Sequence, residues 1–128
     1  MKKDLENFGV LITGGGTGIG KACAAEMYSN GALVTICGRT EEKLKQSVQE
    51  IVESQQKGGA IQYVICDVTD EDQVLKTVLA ADEFGKGLDG VVANAGGGGA
   101  IVPYHMQAVE EFSRVLNLNV LGLSLIHI

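Results

Sequence analysis

The segment Thr13-Gly14-Gly15-Gly16-Thr17-Gly18-Ile19-Gly20 constrains this chain more than any other. Before it, Phe8 to Thr13 (FGVLIT) is a short apolar run of the kind that forms a strand buried on both faces. After it, Ile19 to Asn30 holds helix-forming residues up to Gly31. A glycine-rich turn between a buried strand and a helix lets backbone approach a ligand closely. It also opens on the first N–H groups of the helix, which lack partners within the helix and suit a phosphate. A flexible turn without a ligand is the plainer alternative.

The pattern then repeats. Ala32 to Cys37 (ALVTIC) reads as a second strand. Thr40 is placed to cap a helix with Glu41 and Glu42 in its first turn and an apolar stripe of Leu44, Val48, Ile51 and Val52. Ile61 to Cys66 is a third strand. Thr69 is placed to cap the next helix, with Val74, Leu75, Val78 and Leu79 facing inward. Leu88 to Ala93 is the fourth strand. Strands alternating with helices, joined by right-handed connections, specify an α/β fold: a Rossmann-like, doubly wound parallel sheet of about four strands and the helix that follows. No linker, repeat or low-complexity stretch divides it.

The spacing of the glycines narrows the ligand. The fingerprint G-x-G-x-x-G does not fit, because from Gly14 its last position falls on Ile19 and from Gly16 on Lys21. Gly15 to Lys21 matches G-x-x-x-x-G-K of an ATP-binding loop. Ala22, however, stands where a Ser or Thr hydroxyl should hold magnesium. What remains is T-G-x-x-x-G-x-G.

On this motif the chain resembles the short-chain dehydrogenases/reductases, and three further motifs agree. Asp67 in Cys66-Asp67-Val68-Thr69 matches the family's aspartate beside the adenine ring. Asn94-Ala95-Gly96 matches its N-A-G element. Asn119 in Leu118-Asn119-Val120-Leu121-Gly122 matches the asparagine of the following helix. The resemblance spans Phe8 to Gly122. It implies a nicotinamide cofactor bound by Gly14, Gly16, Thr17, Gly18, Ile19, Gly20, Asp67, Val68, Asn94, Ala95 and Gly96. It also implies that Asn119 holds a water on the proton-relay route to the active site. On the sequence alone, a helix from Val109 to Leu121 puts Asn119 on the apolar face of Val109, Phe112, Val115, Leu116 and Val120. An amide there needs backbone or water partners, since leaving it unpaired costs roughly 1–3 kcal/mol.

Charge bears on which cofactor. NAD sites place an acid at the end of the second strand for the ribose 2′-hydroxyl, and that acid repels the 2′-phosphate of NADP. Here the place is Gly38, followed by Arg39, whose guanidinium can pair with a phosphate, and by Thr40. NADP(H) is therefore expected over NAD(H). Thr17 departs from those NADP-binding members that carry a second basic residue in the glycine loop.

Other classes recede. A net charge of -6 offers no basic surface for nucleic acid or an anionic membrane. The start, Met1-Lys2-Lys3-Asp4-Leu5-Glu6-Asn7, does not lead into an apolar signal segment, so the cytoplasm is expected. Cys23, Cys37 and Cys66 have no metal-ligand spacing and read as buried free thiols; no metal site is expected.

Catalysis in the family uses a serine, and a tyrosine and lysine in Y-x-x-x-K. Four residues after Tyr28, Tyr63 and Tyr104 come Ala32, Asp67 and Ala108. The chain is thus expected to be an incomplete NADP(H)-binding domain (1–122), inactive alone; the resemblance implies that it comes from an oxidoreductase acting on a small carbonyl or alcohol and assembling as a homo-oligomer. A non-catalytic nucleotide-binding or regulatory domain is the alternative. Residues 123–128 (LSLIHI) back-translate to the end of a common transposase sequencing adapter, so a non-native tail is expected there, and His127 is not expected to be a ligand. The loop Gly97-Gly98-Gly99-Ala100-Ile101-Val102-Pro103-Tyr104 would border the substrate pocket.

Overall fold

The computed structural model describes residues 4–99 and 101–126, so Met1 to Lys3, Ala100, His127 and Ile128 lie outside the described residues. Four parallel strands, β1 (Gly9–Thr13), β2 (Leu33–Gly38), β3 (Ala60–Ile65) and β4 (Gly90–Ala93), form one sheet in the order β3-β2-β1-β4. Helices α1 (Gly18–Ser29), α2 (Glu41–Ser54) and α3 (Glu71–Gly85) make the three crossovers. The strand order reverses between β1 and β4, and in open α/β sheets ligands bind at that reversal, beyond the carboxyl ends of the strands. The fourth strand begins two residues later than expected, at Gly90.

Period-two alternation divides the core. Val10, Ile12, Val34 and Ile36 face α1 and α2, meeting Ala24, Tyr28, Leu44 and Ile51. Leu11 and Cys37 point to the other face, with Val74 and Ala81 of α3. Both faces are covered, which is why these strands are apolar throughout.

Helix faces and caps depart from the sequence reading. Val52, Leu75 and Leu79 are 45%, 51% and 59% exposed, whereas Ser47, Thr77 and Ala81 are buried. Small residues fill the closest approach of helix to sheet, and their hydroxyls find carbonyls: Thr77 Oγ1 donates to Gln73 O at 2.8 Å, and Ser47 Oγ to Gly16 O at 2.6 Å. Thr40 occupies the N-cap position of α2, but its side chain makes no capping bond. Asp70, not Thr69, caps α3 and accepts from Gln73 N at 3.1 Å. That bond is worth about 1 kcal/mol.

After β4 the chain runs through a 3-10 turn (Tyr104–Met106) into α4 (Val109–Leu116), a π-helical turn (Asn117–Leu121) and a last helical turn, α5 (Gly122–Leu125). The single helix expected over 109–121 is therefore widened at Asn117. Its apolar residues Val109, Phe112, Leu116 and Val120 are exposed. Ile126 packs beside Leu11 and Val74.

Candidate nucleotide-binding site

At the carboxyl end of the sheet, Thr13 organises the strand reversal. Its side chain is fully buried, and Oγ1 accepts from Asn94 N at 3.1 Å and from Ala95 N at 3.0 Å. The Asn94 amide returns the link, Nδ2 donating to Thr13 O and Gly14 O, both at 3.2 Å. β1 and β4 are thus sewn together just past their last ladder pair, Thr13 and Ala93.

The glycines do different work. Gly14 has φ +67°, and a Cβ there would lie 2.9 Å from Asn94 Nδ2 and 3.0 Å from Ala95 Cα. At Gly20 a Cβ would come within 2.3 Å of Gly14 O, so α1 packs directly on the loop that precedes it. Gly18, at φ +56°, has open space where its side chain would be.

The start of α1 differs from those of the other two crossover helices. Glu41 and Glu42 occupy the first turn of α2, and Glu71 and Asp72 that of α3. In α1 the first turn has no acid, and Thr17 makes no side-chain capping bond. Its first N–H groups and the positive end of its dipole are left for an anion from outside.

A cleft opens in front of this terminus. Gly14, Gly16, Thr17, Arg39, Thr40, Val68, Ala95 and Gly96 are among the residues that line it. Among the expected positions, Gly18, Ile19, Gly20, Asp67, Asn94 and Asn119 do not line it. The Ile19 side chain is exposed, while Gly20 and Asn94 pack against Gly14. Asp67 sits beside the rim. Its Oδ1 accepts from Thr69 Oγ1 at 2.7 Å and from Thr69 N at 3.0 Å, and these bonds, aided by the Arg39 charge, hold its carboxyl below the usual range.

Asn119 finds the backbone partners its position demands. Its Nδ2 donates to Gly97 O at 2.8 Å and Val115 O at 2.9 Å, and its Oδ1 accepts from Gly97 N at 3.1 Å. Arg114 adds a bond to Gly98 O at 3.1 Å, so the loop after β4 is fastened to α4.

Five lining residues were not singled out as ligands from sequence: Gly38, Lys43, Leu44, Cys66 and Leu118. Lys43 lies in the first turn of α2, four residues after Arg39. Cys37 and Cys66 are buried neighbours, and Cys23 is partly buried. The hydrogen bond between Cys37 and Cys66 raises the Cys37 thiol and lowers Cys66 to about 7.

The parallel sheet and its crossover helices define an α/β domain of the Rossmann type. The chain belongs to the short-chain dehydrogenase family, which it matches over residues 9–127. It is 35% identical over 117 residues to levodione reductase of Leifsonia aquatica, covering 91% of this chain and 43% of that one. A short-chain type dehydrogenase/reductase from Mycobacterium ulcerans superposes with a TM-score of 0.90 at 40% identity, covering 95% and 44% of the two chains. NAD+-bound xylitol dehydrogenase gives a TM-score of 0.90 at 30% identity, covering 97% and 46%. The chain thus spans less than half the length of these relatives. Among the described residues, no helix is long and apolar enough to cross a membrane, and no group of three His, Cys, Asp or Glu could hold a metal.

Proposed function

We propose that residues 1–122 form the nucleotide-binding part of an NADP(H)-dependent oxidoreductase that interconverts a small carbonyl compound and an alcohol. One observation carries this reading: Thr17, at the uncapped, acid-free start of α1, lines the same cleft as Arg39, which stands where an acid would select NAD. The NAD+ held by xylitol dehydrogenase supports a nicotinamide dinucleotide in that cleft. Gly38-Arg39 supports the 2′-phosphorylated form.

When bound, the cofactor supplies or accepts a hydride. The backbone of Gly14, Gly16, Thr17, Gly18, Ile19 and Gly20 would hold the pyrophosphate, with Arg39 and Thr40 on the 2′-phosphate and Asp67 and Val68 beside the adenine. Asn94, Ala95 and Gly96 would border the nicotinamide ribose. Asn119 would hold a water on the proton route.

None of the three tyrosines is followed four residues later by lysine, so the chain alone is proposed to be inactive. The whole protein is proposed to be a cytoplasmic homo-oligomer without affinity for nucleic acid or membranes. The native protein is expected to bind NADPH more tightly than NADH, with Arg39→Glu inverting the order; equal native affinities would refute the preference.

A further inference from the structure

We propose that Lys43 is a second specificity-determining cation, acting beside Arg39 on the 2′-phosphate of the nucleotide. The inference rests on the reading of the cleft as a dinucleotide site. A phosphate monoester carries roughly −1.5 to −2 charges at neutral pH, more than one guanidinium balances. The residues after Thr40 oppose an anion: Glu41 and Glu42 form the first turn of α2.

Two features relieve this. Glu41 Oε1 accepts from Tyr63 Oη at 3.2 Å, which draws that carboxylate towards β3. Lys43 lines the cleft together with Gly38, Arg39 and Thr40. Among the described residues it has no ion pair or hydrogen bond, so its charge is uncommitted. The turn that carries it is fixed: Leu44 is buried, and a Cβ on Gly16 would lie 3.2 Å from its Cδ2. Lys45, two residues on, does not line the cleft and serves as a control.

The test is calorimetric titration of the full chain with 2′,5′-ADP and with 5′-ADP, circular dichroism verifying that each variant is folded. Lys43→Ala is expected to weaken 2′,5′-ADP about tenfold, equivalent to ~1.4 kcal/mol, and to leave 5′-ADP unchanged. Lys43→Arg should retain the preference, and Lys45→Ala should alter neither affinity. A Lys43→Ala chain that keeps the native preference, or loses both ligands equally, overturns the role of Lys43 alone. A native chain that does not prefer 2′,5′-ADP overturns the NADP reading, and one that binds neither overturns the dinucleotide site itself.

Discussion

Replacing Thr13 by valine tests the reversal point of the sheet with almost no change in shape. The fully buried Thr13 hydroxyl accepts the backbone N–H groups of two half-buried residues. Asn94 N has a second acceptor, Val92 O at 3.0 Å, whereas among the described residues Ala95 N has no other. Valine therefore orphans one donor and weakens another. A buried unsatisfied amide costs roughly 1–3 kcal/mol, so we expect a loss of about 2 kcal/mol, a factor of ~30 in the folding equilibrium. In a urea titration the midpoint should fall by about 1 M with the slope unchanged, given slopes of roughly 1–3 kcal/mol/M. Thr13→Ser keeps the acceptor and should recover most of the loss. If valine and threonine give coincident curves, or serine is as damaging as valine, the hydroxyl does not hold β4 to β1.

Two other outcomes follow from the same region. Gly18→Ala should cost only the left-handed backbone strain, about 1 kcal/mol, because no atom lies in the way. Gly20→Ala should cost more, as its Cβ would meet Gly14 O at 2.3 Å; thermal melts that rank the two in reverse would contradict this packing. Asp67 supplies a pH dependence. Its folded pKa is depressed, so its contribution is fully present above the ordinary carboxylate pKa of about 3.9 and is lost as pH falls through the lower folded value. Asp67→Asn should flatten the fall in stability in that acid window, and an unchanged acid profile would show that the Thr69 bonds do not stabilise the fold.

The sequence reading located every strand and crossover helix because glycine-bounded apolar runs and 3.6-residue stripes reflect burial directly. It misjudged which stripe residues face inward. Val52, Leu75 and Leu79 are more apolar than Ser47, Thr77 and Ala81, yet the latter fit where helix and sheet come closest. It also took Thr69 for a cap. Its hydroxyl goes instead to Asp67, a competition between neighbouring polar groups that composition does not resolve. At the site, the glycine loop, Arg39 and the N-A-G element were legible because each follows a strand end. Lys43 and Cys66 reach the cleft through helix rotation and the strand exit, which are tertiary facts. The helix at 109–121 read correctly in the backbone partners of Asn119, but its apolar residues are exposed and its turn at Asn117 is widened.

The bond from Ser47 to Gly16 joins the glycine loop to α2, the helix that follows Arg39. The loop and that helix are therefore tied to each other by the fold itself, with no ligand between them. If the cleft holds the proposed dinucleotide, a molecule with two anionic groups at the matching separation would meet both places at once, while one with a single phosphate would gain nothing from the second.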